Sequence, residues 1–201
     1  MNFGLIGANG VGKSTLLSKL IEIDKNIVPF SFSNVPVSET RGIKRNFHGR
    51  NELRIVPRRI EDVLGKWGKA YQRSLFSKES KIVMDEIFLT KLLRKAPMNK
   101  NDSESFIDDF QEFSNRIREI ELSYIDSYIF VKQSEQQWLA NILTRPTVAT
   151  NSNSIENRLN RYRVQNLCLE YYLSKLPKSP HMLVGDLSEI KLTEIKEFIA
   201  R

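Results

Sequence analysis

The sequence is poor in the residues that would commit it to several large classes of protein. It holds one cysteine, Cys168, so it has no internal disulfide and no cysteine-based zinc centre. Its two histidines, His48 and His181, stand alone, and neither is assigned a role. No apolar run approaches the roughly 18 residues needed to cross a bilayer. The N-terminus, Met1-Asn2-Phe3-Gly4-Leu5-Ile6, lacks the basic region and long apolar stretch of a signal peptide. Internal repeats are absent as well. The expectation is a cytoplasmic protein with no membrane contact, and at 201 residues one domain rather than two.

One sign of charge is in short supply. Lysine and arginine exceed aspartate and glutamate by 31 to 24, a net charge of +7, which points weakly to an anionic partner. The excess is local. Residues 41–59 carry Arg41, Lys44, Arg45, Arg50, Arg54, Arg58 and Arg59 against a single acid, Glu52.

Strand and helix signals alternate along the chain. Asn2–Ile6 is a short apolar segment ending at a glycine-rich turn, and Leu16, Leu17, Leu20 and Ile21 recur at helical spacing after it. Residues 26–38 predict at least one strand ending near Ser38, and 40–56 a loop. Ile60, Val63, Leu64, Trp67, Tyr71 and Leu75 make a second helical stripe. A strand at 81–84 runs into Asp85-Glu86, and a short helix follows to about Arg94. Phe106, Phe110, Phe113, Ile117 and Ile120 mark another helix. Then come a strand at 128–131, a helix at 135–144, a polar loop at 146–155, a helix at 156–176, a strand at 182–184 and a helix at 189–200. This order predicts an α/β fold: a parallel sheet covered by helices on both faces, in three layers.

The segment Gly7-Ala8-Asn9-Gly10-Val11-Gly12-Lys13-Ser14 matches G-x-x-x-x-G-K-[ST] between a strand and a helix, the context a phosphate-binding loop requires. Glycines let successive backbone N–H groups turn toward phosphate oxygens. The following helix adds roughly half a positive charge at its first turn, where Thr15 also lies. Lys13 is expected at the β- and γ-phosphates and Ser14 on Mg²⁺, so Mg-ATP is the expected cofactor.

Such a loop serves several kinds of enzyme. Asn99-Lys100-Asn101-Asp102 and Asp62-Val63-Leu64-Gly65 fit guanine-nucleotide motifs, but neither follows an apolar strand, and both are set aside. No L-S-G-G-Q-like segment is present. Three features favour a kinase. Val35-Pro36-Val37-Ser38-Glu39-Thr40-Arg41 ends an expected strand in a carboxylate, at the sheet edge where ligands bind in open α/β folds. Asp85-Glu86 puts an acid pair at another strand end, placed to organise Mg²⁺. Arg158, Arg161 and Arg163 open a helix just after the polar loop, as a lid over about 145–163 that would meet the transferring phosphoryl group.

On these residues the chain resembles the thymidylate kinase and deoxynucleoside kinase group of P-loop kinases. The resemblance implies that Glu39 acts on the acceptor, as general base or as a contact. It implies that Arg158 and Arg161 act in catalysis with Lys13 and Asp85, and that Arg163 contacts the nucleotide. It implies that Val184-Gly185-Asp186 approaches the adenine. The sequence departs from the group at Glu86, where an arginine is usual. The expected reaction moves the γ-phosphoryl of ATP to a nucleoside or, favoured by the basic run, a (deoxy)nucleoside monophosphate. A hydroxyl on DNA or RNA as acceptor, a slow nucleotide-dependent switch, and a homodimer all stay open.

Overall fold

The computed structural model describes residues 2–31, 43–45, 53–55, 81–85, 87–122, 125–144, 152–176, 181–185 and 189–200. Within them lie the strands β1 (Asn2–Ile6), β2 (Ile27–Ser31), β3 (Ile43–Arg45), β4 (Leu53–Ile55), β5 (Lys81–Asp85), β6 (Ser127–Val131) and β7 (His181–Val184). The helices are α1 (Lys13–Ile23), α2 (Phe88–Leu93), α3 (Ser103–Glu121), α4 (Glu135–Leu143), α5 (Ser152–Ser174) and α6 (Glu189–Ala200). Five strands form one sheet in the order β2-β5-β1-β6-β7, and every pairing is parallel. Pro29 is tolerated because β2 is an edge strand, where a missing N–H can face away from the ladder.

Alternation along the central strands builds two cores. Ile6, Ile82, Met84, Tyr128 and Phe130 point to one face, where Phe106, Phe110 and Ile117 of α3 and Cys168, Leu169 and Tyr172 of α5 cover them. Phe3, Leu5, Val83, Ile129 and Val131 point to the other, against Leu16 and Leu20 of α1, Trp138 of α4, and Ile195 and Ile199 of α6. Strands buried on both faces need apolar residues at successive positions, which is what β1, β5 and β6 have. The expected three-layer α/β fold is the one observed. No described helix is long and apolar enough to cross a membrane.

One polar group is sealed in the first core. Glu121, wholly buried, accepts from Leu89 N (2.7 Å) and from the hydroxyls of Tyr128 (3.2 Å) and Tyr172 (3.0 Å). Burial pushes its carboxyl up to about 7, against the pull of these donors. The bond to Leu89 holds the first turn of α2, the helix that leaves β5.

Some boundaries differ from the sequence reading. Residues 43–45 and 53–55 pair as an antiparallel ribbon inside the segment expected to be loop. Strands of three residues are too short to show a period of two. Helix α5 starts at Ser152 rather than Glu156, and α3 at Ser103 rather than Phe106, because the first turn of each is polar and shows no apolar stripe. Ile27–Ser31 is a strand within 26–38, and the expected strand end near Ser38 lies outside the described residues. The helical stripe at 60–75 lies outside the described residues.

Candidate active site

The chain goes from β1 to one side of the sheet and later returns to build β6 on the other, so the ends of β1 and β6 bound a crevice at the carboxyl edge. The phosphate loop leaves β1 into that crevice. Its first residue, Gly7, passes so close to β6 that a Cβ there would sit 2.4 Å from the Val131 carbonyl oxygen. Gly12 caps α1 with φ 91° and ψ 20°, a left-handed geometry that strains any other residue. The first turn of α1 holds no acid, so its partial positive charge is left for a ligand.

Lys13 folds back over the loop and donates to Gly7 O (2.8 Å) and Ala8 O (3.0 Å). Burial lowers its ammonium to about 8, with Asp85 opposing the shift and Arg94 adding to it. Because β1 and β5 are adjacent and parallel, with Leu5 opposite Asp85, the start of α1 and the end of β5 meet. There the Ser14 hydroxyl donates to Asp85 Oδ2 at 2.8 Å. The other carboxylate oxygen, Asp85 Oδ1, is buried with no hydrogen-bond partner. A buried, unsatisfied carboxylate oxygen is costly unless something cationic comes to it. The described residues contain no cluster of three or more His, Cys, Asp or Glu. Among the described residues a hard cation here would find the Ser14 hydroxyl and the Asp85 carboxylate, oxygen donors of the kind Mg²⁺ takes.

Helices α4 and α5 brace the loop from the side. Asn9 N donates to Gln165 Oε1 (2.9 Å), and Trp138 Nε1 donates to Asn9 O (2.7 Å). Gln165 is 1% exposed, and its Nε2 donates to Leu93 O (2.9 Å), so one side chain joins α5, the loop and the end of α2. Trp138 stacks on Tyr162 at 4.6 Å. Arg158 and Arg161 share a cavity of about 140 Å³ with Asn9, Gly10 and Gln165. Arg161 Nε donates to Ala96 O (2.8 Å), whereas Arg158 Nε is buried with no hydrogen-bond partner. A second cavity of about 180 Å³ lies directly over Lys13, Ser14, Thr15 and Asp85.

The structure thus brings the loop residues Gly7, Ala8, Asn9, Gly10, Val11, Gly12, Lys13, Ser14 and Thr15 together with Asp85, and places Arg158 and Arg161 beside them. It does not bring Arg163 there. That residue leaves α5 on another face and forms a bidentate pair with Glu135, 2.7 Å at each contact. The pair holds the Glu135 carboxyl below its ordinary value and the Arg163 guanidinium above its own. Arg163 lines a different cavity, of about 430 Å³, with Lys132, Asn166 and Glu170. Glu39, Glu86, Asp186 and the side chains of the 41–59 run lie outside the described residues. Gly185 follows β7, beside Lys132, whose N–H donates to Val184 O at 2.9 Å. The sequence reading missed Arg94, Trp138 and Gln165. No motif marks them, and each reaches the loop only through the fold.

No family model matches the sequence, and no curated protein does. Solved structures do resemble the fold. Deoxyadenosine kinase from M. mycoides with bound dATP aligns over 100% of both chains, at TM-score 0.51 and 14% identity. The same enzyme with the products dCMP and dCDP aligns over 100% of this chain and 98% of that one, at TM-score 0.53 and 14% identity. With dCTP bound, the figures are 98%, 97%, 0.50 and 15%. At this identity the likeness is one of fold, and the fold is that of the P-loop nucleoside kinases.

Proposed function

We propose that the chain is an ATP-dependent kinase that moves the γ-phosphoryl group onto a nucleoside or, favoured, a (deoxy)nucleoside monophosphate. The observation that carries this reading is the Ser14–Asp85 contact of 2.8 Å with Asp85 Oδ1 left without a partner beside Lys13. The similar solved structures, of a kinase with dATP or dCTP bound, support a nucleotide as the ligand.

In this proposal Lys13 turns from the loop carbonyls to the β- and γ-phosphates, and the loop N–H groups and the first turn of α1 hold the rest of the chain of phosphates. Ser14 and Asp85, with Glu86 as a second acid, would hold Mg²⁺, which when bound neutralises charge on the β- and γ-oxygens. Arg158 and Arg161 stabilise charge on the transferring group, and residues 145–163 act as the lid of a single domain. Glu39 takes the proton of a hydroxyl acceptor or contacts the acceptor. When the acceptor is already a phosphate no base is needed, and positioning carries the reaction. Arg163 stays with Glu135 and has no part in the transfer. The cytoplasm is the compartment this chemistry suits.

The test is transfer of labelled γ-phosphate from Mg-ATP to nucleosides, nucleoside monophosphates, and single- and double-stranded DNA and RNA. Labelled nucleotide is the expected product, and Lys13→Ala should abolish it. Labelled nucleic acid would replace the acceptor class. Release of free phosphate alone, with every acceptor untouched, would replace the kinase with a nucleotide-dependent switch.

A further inference from the structure

Arg94 has no place in the sequence motifs, yet it lines the same cavity as Lys13, Ser14 and Asp85. It stands at the C-cap of α2 in right-handed helical geometry, φ −62° and ψ −16°. Leu93 and Ala96 are buried, at 2% and 0% exposure, while Arg94 itself is exposed, on the open side of the turn.

That turn is also tied down. Leu93 O accepts from Gln165 Nε2 at 2.9 Å and Ala96 O from Arg161 Nε at 2.8 Å, both from α5. Backbone bonds from Lys95 N to Leu92 O (2.9 Å) and Ala96 N to Leu93 O (3.0 Å) tighten it further. Since Gln165 also holds Asn9 N, the segment bearing Arg94 is referenced to the phosphate loop itself. Arg94 and Lys13 line one cavity of about 180 Å³. Two cations converging on one small cavity repel each other unless an anion lies between them. Asp85, the acid in that cavity's described lining, sets one negative charge against these two positive ones.

We propose that Arg94 binds the terminal phosphate of the bound triphosphate, opposite Lys13 and next to Asp85, and that Gln165 positions it there. The inference rests on the nucleotide reading of the loop and adds a ligand contact to it. A planar guanidinium can give two parallel N–H bonds to phosphate oxygens, which lysine cannot reproduce. It touches the γ-phosphate and not the β, so its contribution separates ATP from ADP.

The experiment is calorimetric titration of the full chain, and of Arg94→Met and Arg94→Lys, with Mg-ATP and with Mg-ADP, alongside thermal melting. Because Arg94 is exposed, both variants should melt with the wild type. Arg94→Met should weaken Mg-ATP about tenfold or more while Mg-ADP stays within about twofold, and Arg94→Lys should fall between. A loss for Mg-ATP less than about fivefold greater than the loss for Mg-ADP overturns the proposal. Failure of the wild-type chain to bind Mg-ATP would overturn the nucleotide reading itself, and this contact with it.

Discussion

Helix α5 separates two hollows that differ in how their polar groups are satisfied. On the loop side, two cavities of about 140 and 180 Å³ expose Lys13, Asp85, Arg158 and Arg161, and two atoms of charged groups, Asp85 Oδ1 and Arg158 Nε, have no hydrogen-bond partner. On the other side, the cavity of about 430 Å³ is larger, but its charges are matched within the protein. Arg163 pairs with Glu135 and Lys132 with Glu170. Among the described residues, only a neutral amide oxygen, that of Asn166, lacks a partner there. The larger hollow has little charge left to offer a ligand. The smaller ones carry an electrostatic debt that a metal–phosphate complex would settle, and that debt, not volume, marks the proposed site.

The sharpest way to break the comparison is Asp85→Asn, which keeps the shape and removes the charge. Turnover should fall by at least about a hundredfold, with a raised Mg²⁺ requirement, in steady-state rates measured across a Mg²⁺ titration. A rate within about threefold of wild type would put the metal elsewhere. Gln165→Leu comes next. It leaves Asn9 N and Leu93 O without their partner in a buried setting, a loss of about 1–3 kcal/mol. At this chain length, that lowers the melting temperature by a few degrees. Unchanged melting would mean water replaces the amide and the brace is dispensable.

A smaller effect concerns protons. Burial lowers the Lys13 ammonium from its ordinary 10.5 to about 8. Bound phosphate favours the charged form and raises the value again, so Mg-ATP binding between about pH 8 and 10.5 should take up a fraction of a proton. Calorimetry at pH 8.5 in buffers of differing ionisation enthalpy reads this directly, and a binding heat independent of buffer would contradict it. The smallest change is expected on the far side of α5. Arg163 is half-exposed, and such pairs contribute at most about 1 kcal/mol, so Arg163→Ala should leave turnover within about twofold and melting nearly unchanged. A large fall in turnover would return Arg163 to the active site.

What could be read from the sequence depended on how much chain each feature needs. The phosphate loop is contiguous, so residue types and spacing sufficed. Asp85 was legible as an acid ending an apolar strand, and the sheet's class followed from alternating elements. Arg94 and Gln165 were not legible. Gln165 meets Asn9 across 156 positions and Leu93 across 72, and nothing local distinguishes it from any polar residue in a helix. The ribbon at 43–45 and 53–55 was hidden by its brevity. Arg163 is the instructive case. Two residues after Arg161 is about 200° around a helix, so the two side chains leave α5 on different faces, and Arg163 meets Glu135 instead of the phosphate loop.

The most direct test of the account is to locate the metal. Mn²⁺ added with ATP in place of Mg²⁺ broadens the amide resonances nearest to it in a ¹H–¹⁵N spectrum. Loss centred on Ser14, Thr15 and Asp85, with Lys132–Glu135 and Arg163–Glu170 retaining their signals, is the result predicted. Broadening centred on Glu135 and Glu170 would place the metal in the larger hollow and contradict the account.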